Sequence, residues 1–237
     1  LLLRLKEILI VEILKNFKIK INKANVLKYM GYKNPEDVSS AVEADVDAQI
    51  EVAQGLLEPA LIYEEYPIKV DEDRQKVYIS EDKAWDSRFV STYMKGCDTM
   101  IVLVSTIGPK LPEEINKAFA QGDYLRAMAL DAIADNAIDN INKQFWVKLV
   151  NRVKKESKGI TGMLSPGHSD WNIEQQKLLF ELLDASAIGV SLTDSCLMMP
   201  IKSTSGIYGI GKEIPISKSS HNCDMCPIKG CFMREVG

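Results

Sequence analysis

The chain has 237 residues, enough to bury a sizeable core, and its 46% apolar and 26% charged residues are the composition of a soluble globular protein. A net charge of −4, with both signs interspersed, leaves no electrostatic footprint for nucleic acid or an anionic membrane surface. No run approaches the ~18 consecutive apolar residues of a membrane span, so neither nucleic acid nor membrane is an expected partner.

In chain order, "LLLRLKEILIVEILKNFKIK" is apolar but interrupted by Arg4, Lys6, Glu7 and Glu12, which is unlike a signal peptide. Residues 1–33 are read as a helical start ending in the polar turn "MGYKN", after which Asn34-Pro35 opens a second helical region. Over 40–57 the positions Val42, Val46, Ile50, Ala53 and Leu57 predict a helix, with Ser40 and Glu43 as a capping box and Pro59 as its stop. Residues 60–80 predict two strands joined by the charged turn "DEDRQ". The run 100–104 within "DTMIVLVSTIG" predicts a central strand buried on both sides.

A short helix is then expected up to Gly122, and Asp123 caps a long helix reaching about residue 155. Its expected core face is Leu125, Met128, Ala132, Ile138, Ile141, Phe145 and Leu149. Asp131, Asp135 and Asp139 form a column four residues apart, either a solvated stripe or a row facing a ligand. "IEQQKLLFELLDAS" predicts an amphipathic helix burying Ile173, Leu178, Leu179, Leu182 and Leu183, with Asn172 and Gln175 offering a cap. Residues 188–211 alternate and turn like strands, with Pro200 confined to an edge or a break. The expected class is α+β, with long helices packed on a twisted antiparallel or mixed sheet. Three regions are expected: a helical and hairpin segment over 1–95, a core over 96–215 and a cysteine-rich tail over 216–237.

"GIYGIGK" (206–212) fits seven positions of a phosphate-cradling loop, but Glu213 stands where Ser or Thr holds magnesium, and Pro215 blocks the following helix. No G-x-G-x-x-G follows a strand. In "GMLSPGHSDW" (162–171), Pro166 and Gly167 precede His168, which is consistent with an ordinary loop or with a turn facing a ligand. The tail "SHNCDMCPIKGCFMRE" spaces Cys223, Cys226 and Cys231 as C-x2-C-x4-C, with His221 two residues ahead. Converging thiolates suit zinc or an iron–sulfur cluster, with His221, Cys97 or an exogenous group as fourth ligand. The alternative is reduced thiols, or a disulfide formed on isolation. Cys196 is expected in the core. Five cysteines without a secretory signal point to a reducing cytoplasm.

Taken together, "LSPGHSDWNIEQQKLLFELLDASAIGVSLTDSCLMMPIKSTSGIY" (164–208) resembles the activation domain of cobalamin-dependent methionine synthase. The likeness rests on Ser165-Pro166-Gly167, the paired leucines, Gly189, Leu192-Thr193-Asp194-Ser195, Met199-Pro200 and Ser203-Thr204-Ser205-Gly206, and it extends upstream to about residue 105. The chain looks like a stand-alone version of that domain.

The resemblance implies an activation-domain-like fold and reductive reactivation of a corrinoid (vitamin B12)-dependent methyltransferase such as methionine synthase. There, inactive cob(II)alamin is rescued by one-electron reduction coupled to methyl transfer from S-adenosylmethionine. It also implies a corrinoid carried by a partner protein, an electron donor, and a S-adenosylmethionine site formed by Asp135, Met163, Ser165, Gly167, His168, Ser205 and Tyr208, with Asp135 towards the amino group. Met163 stands where the family has arginine, His168 where it has tyrosine, and the aromatic pair after Ser-x-Ser-Gly is replaced by the cysteine tail. The alternative is a non-enzymatic metal or iron–sulfur redox or adaptor module that docks on a corrinoid protein without binding S-adenosylmethionine.

Overall fold

A computed structural model describes residues 11–220. Residues 1–10 and the tail with His221, Cys223, Cys226 and Cys231 lie outside the described residues.

The N-terminal segment corrects the expected helix. Residues Glu12–Leu14 form strand β1, and helix α1 (Lys23–Tyr29) starts only after Asn22, whose side chain caps it by accepting from the Asn25 amide. Between them Phe17, Ile19 and Ile21 turn inward at every second residue, the period of an extended chain, and pack against the core. A 3-10 turn, Pro35–Asp37, leads to helix α2 (Ser40–Gln54). Its cap is Ser39 rather than Ser40, the Ser39 hydroxyl accepting from the Val42 amide.

Strands β2 (Ala60–Pro67), β3 (Lys69–Asp71), β4 (Lys76–Tyr78) and β5 (Ala84–Asp86) follow. The charged turn does close a hairpin, but it joins β3 to β4 in a small sheet with β5, while β2 belongs to the central sheet. Helix α3 (Arg88–Tyr93) precedes β6 (Thr99–Thr106), and helices α4 (Lys110–Ala120) and α5 (Tyr124–Lys155) come next. Then come β7 (Gly159–Ile160), α6 (Gln176–Leu182), β8 (Ser191–Leu192), β9 (Met198–Met199) and β10 (Ser203–Gly211). The central sheet runs β1-β2-β6-β10-β7, and every pairing is antiparallel. As expected, β6 lies at its centre with Met100 to Val104 fully buried. "GIYGIGK" is mostly the end of β10, a strand rather than a phosphate loop.

Helix α5, capped by Asp123 as expected, covers one face of this sheet. Ile133, Ile141 and Phe145 meet Ile101, Leu103, Tyr63 and Tyr208 there, and Ala129, Ala132, Ala134 and Ala137 allow close approach. Leu125 and Met128, expected in the core, are 42% and 47% exposed. The buried stripe at that end runs instead through Ala127, Leu130 and Ala134, where α4 packs on α5. The opposite face packs Val102, Val104 and Ile207 against Trp85, Trp171, Leu179 and Leu183. Ile173 is exposed, because it lies in a 3-10 turn (Ile173–Gln175) capped by Asn172 ahead of α6.

Candidate functional site

The stretch after β7 lies beside β10 and then leaves it as a turn. Leu164 exchanges both backbone hydrogen bonds with Ile207, at 3.0 and 2.8 Å, and the Ser165 hydroxyl donates to the Ser205 carbonyl at 2.8 Å. Gly167, at φ +95°, takes the left-handed conformation that a side chain would strain. Its amide donates to the Trp171 carbonyl at 2.7 Å, and the His168 amide to the Ser165 carbonyl at 3.1 Å. His168 Nδ1 accepts from the Ser165 amide at 3.4 Å, so the imidazole folds back over its own turn.

Two residues anchor the far side. The Asp170 carboxylate accepts from the Ser87 hydroxyl (2.6 Å) and from the Arg88 and Phe89 amides (both 3.1 Å), and these hydrogen bonds hold its carboxyl below the ordinary 3.8. Trp171 is fully buried edge-on to Trp85, with ring centroids 5.2 Å apart. Gly167, His168 and Ser169 remain exposed between these anchors. The turn is therefore fixed at both ends and open at its tip.

Met163 is buried and lies over Gly206, where an added Cβ would stand 2.8 Å from Met163 Cγ and 2.7 Å from the Leu164 carbonyl oxygen. Only glycine permits that approach. The Met163 amide donates to the Ser220 carbonyl at 2.8 Å, and Ile160 bridges Ile216 in parallel, so residues 214–220 run beside 159–163. Ser220, the last described residue, thus lies next to Met163.

Across β10, the acidic column of α5 is neither a bare solvated stripe nor an unpartnered row. Lys202 Nζ lies 2.7 Å from Asp135 Oδ1 and 2.9 Å from Asp131 Oδ1, and it donates to the Asp131 carbonyl at 3.4 Å. Asp139 accepts from the Tyr29 hydroxyl. Burial pushes the Asp135 carboxyl up, against the pull of Lys202. Deeper, Ser105, Asn142 and Thr204 bond one another between sheet and helix at 2.7–3.0 Å.

The fold therefore gathers Met163, Ser165, Gly167, His168 and Ser205 around the first half of β10, with Asp135 facing that strand from α5. Tyr208 is fully buried beneath, its ring 6.4 Å from Phe145 and its hydroxyl without a hydrogen-bond partner among the described residues; burial pushes that hydroxyl's pKa up. The sequence places Asp131 in the acidic column, but Lys202 is a residue it does not single out. No local signal marks Lys202, which stands just ahead of β10 and meets α5 only once the chain has folded.

Among the described residues no group of three or more His, Cys, Asp or Glu side chains could hold a metal. Cys97 is buried, and burial first, then Asp98, pushes its thiol up to about 12, which makes it a poor thiolate donor. Cys196 is buried as expected. A recess of about 280 Å³ lies away from the turn, between Ile13–Phe17 of the N-terminal segment and Gln144, Phe145 and Lys148 of α5. No helix among the described residues is long and apolar enough to cross a membrane.

A family model described as "Vitamin B12 dependent methionine synthase, activation domain" matches residues 71–215, more than half of the chain. A solved structure, the MetH reactivation domain bound to AdoHcy, superposes with a TM-score of 0.65 at 14% identity, covering 88% of this chain and 81% of that one. At that identity the likeness shows the fold, which agrees with the α+β expectation. No curated protein matches.

Proposed function

The chain belongs to the activation-domain family of vitamin B12-dependent methionine synthase, and from that premise we propose that it serves the reductive reactivation of a corrinoid-dependent methyltransferase. The observation that carries this reading is that the matched segment, 71–215, contains the whole site: the turn at 165–168, the face of α5 that bears Asp131 and Asp135, and β10. The protein docks on a partner that carries the corrinoid, and S-adenosylmethionine is the methyl donor. The reaction joins one electron from an external reductant to the cobalt(II) corrinoid and transfers the donor's methyl group to cobalt, leaving S-adenosylhomocysteine. Chemistry at cobalt belongs to the corrinoid, and this chain binds and orients.

The donor set supports S-adenosylmethionine through charge: two half-exposed carboxylates and one ammonium stand beside β10, and the donor's amino-acid end carries the complementary pair of charges. The guanidinium of the family pattern has no counterpart at Met163. The test is anaerobic incubation of the full chain with a corrinoid methyltransferase in its cobalt(II) state, titanium(III) citrate and S-adenosylmethionine. Loss of the cobalt(II) electron paramagnetic resonance signal, faster than without this protein and dependent on S-adenosylmethionine, is the expected result. Equal rates with and without the protein overturn the reading.

A second reading has one observation in its favour, the C-x2-C-x4-C spacing of Cys223, Cys226 and Cys231 with His221. In that reading the tail holds zinc or an iron–sulfur cluster, and a cluster would serve as an electron relay. Brown anaerobically purified protein containing iron and sulfide is the expected result for a relay. Colourless protein with stoichiometric zinc makes the tail structural.

A further inference from the structure

Residues 12–22 run along α5 and are fixed at both ends. At one end β1 pairs with β2, and Lys148 Nζ lies 3.3 Å from Glu12 Oε2. At the other, Gln144 Nε2 donates to the Lys18 carbonyl (3.1 Å) and Asn140 Nδ2 to the Lys20 carbonyl (3.2 Å), just before Asn22 caps α1. The span between these supports cannot settle onto the helix without giving up one of them. It leaves the recess of about 280 Å³ that has Ile13 to Phe17 on one side and Gln144, Phe145 and Lys148 on the other. Leu14 and Phe17 pack against the core there, and Phe145, 1% exposed, is held by the Tyr63 ring with centroids 4.8 Å apart. The apolar lining is therefore set by the core itself. The rim is basic. Residues 13–20 contain Lys15, Lys18 and Lys20 and no acidic residue, and all three lysines are exposed without an ion-pair partner among the described residues. On the α5 side Lys148 also lines the recess, its ammonium 5.4 Å from the Tyr63 ring centroid.

From this arrangement we infer that the recess binds a small organic carboxylate with a flat apolar body. The body lies against Leu14, Phe17 and Phe145, and the carboxylate at the rim takes N–H groups from Lys15, Lys148 and the Asn16 side chain, all of which line the recess. The volume falls at the small end of ligand pockets, which run from ~300 Å³ upward, and so limits the body to about one or two rings. Covering the apolar body supplies affinity, while the lysines choose the anion over a neutral molecule of the same shape. Glu12 already draws on the Lys148 ammonium, so the incoming carboxylate shares it, whereas Lys15 is uncommitted among the described residues. The recess faces β1 and β2 across α5, away from the turn at 165–168 beside β10. The site therefore adds to the reactivation reading and does not depend on it.

The test is calorimetric titration of the full chain and of its Lys15→Met and Asn16→Trp variants with 2-naphthoate and with its uncharged isostere 2-naphthamide. Both substituted positions are exposed, so neither change disturbs the core, and urea unfolding checks that each variant keeps its fold. The unsubstituted chain is expected to bind 2-naphthoate below millimolar concentration and roughly tenfold or more tighter than 2-naphthamide. Lys15→Met is expected to weaken 2-naphthoate about threefold or more and to leave 2-naphthamide within about twofold. Asn16→Trp fills the recess with an indole and is expected to abolish binding of both. No binding of 2-naphthoate at millimolar concentration overturns the proposal. Equal affinity for the two probes does so as well, because the recess then has no preference for an anion. Binding of 2-naphthoate unchanged in either variant, or a parallel loss of both probes in Lys15→Met, overturns it too.

Discussion

Residues 203–206 and 207–211 continue one strand, β10, but they are set in different surroundings. In the first half, Ser203, Thr204 and Ser205 exchange hydrogen bonds with Thr106, Asn142 and Ser165, and an ion pair with partly wet carboxylates sits just ahead at Lys202. In the second half, Ile207, Tyr208 and Ile210 are buried in apolar surroundings, Gly209 leaves room for the Cys97 and Met94 side chains, and Gly211 lets the backbone of Gly96 and Cys97 come into contact. The difference separates two demands on one sequence. The dry half pairs with both β6 and β7, whereas the polar half pairs with β6 and bonds through side chains to α5, to β6 and to the turn. Substitutions in the dry half should therefore be felt as lost stability, and those in the polar half as lost binding.

The hardest test of that contrast is Gly211→Ala. A Cβ there would stand 2.1 Å from the Gly96 carbonyl oxygen and 3.0 Å from Cys97 Cα, and neither backbone atom can swing aside. The expected cost is about 4 kcal/mol or more, or failure to fold. Urea unfolding, or soluble yield if the variant does not fold, measures it. A cost below about 1 kcal/mol would mean that the two backbones separate easily, and the dry half would lose its distinction.

Trp171→Ala comes next, at about 3–5 kcal/mol, because a fully buried indole packed on Trp85 leaves a cavity. It also links the halves, since the Trp171 carbonyl takes the Gly167 amide and so shapes the turn beside the polar end. Loss of the near-ultraviolet signal of the tryptophan pair together with weakened ligand binding is expected. Binding retained at full strength would show that the turn needs no support from the core.

How much of this was legible in the sequence follows the same division. The long helix, its Asp123 cap and the central strand were readable because a 3.6-residue period and an unbroken apolar run are strong local signals. The N-terminal helix was misread because its apolar content outweighed the alternation of Phe17, Ile19 and Ile21, a short two-residue period that becomes decisive only once β2 and α5 are there to pair with it. Leu125 and Met128 were misplaced because a helix alone does not show which side its neighbour α4 will cover. At the site, Ser165, Gly167, His168 and Ser205 could be picked out as a resemblance in order along the chain. Lys202 could not, because what matters about it is a contact across about seventy residues, with Asp135 on another element.

Asp170 ties the turn to the start of α3, and its effect should depend on pH. Three hydrogen bonds to its ionised form depress its folded-state pKa below 3.8. The stability it contributes is therefore complete above 3.8 and is lost as the pH falls through the lower folded-state value. In Asp170→Asn that acid-labile part is absent, so melting temperature should fall less steeply with pH below about 4 than in the unsubstituted chain. Identical slopes would mean that the turn is held without this carboxylate.

The smallest expected effect on stability is the most telling for function. Lys202→Met removes two ion pairs, yet both carboxylates are wet enough to recover hydration, so the cost in the ligand-free protein should be about 1 kcal/mol or less and should shrink with added salt. The methionine stem still covers the apolar surface that the lysine stem covered. Chemical unfolding at low and high salt measures the difference. A loss approaching that of Gly211→Ala would make Lys202 a brace between β10 and α5, as structural as the glycines further along the strand. A small, salt-sensitive loss makes it a pair that opens at low cost, as the partial exposure of Asp131 and Asp135 allows.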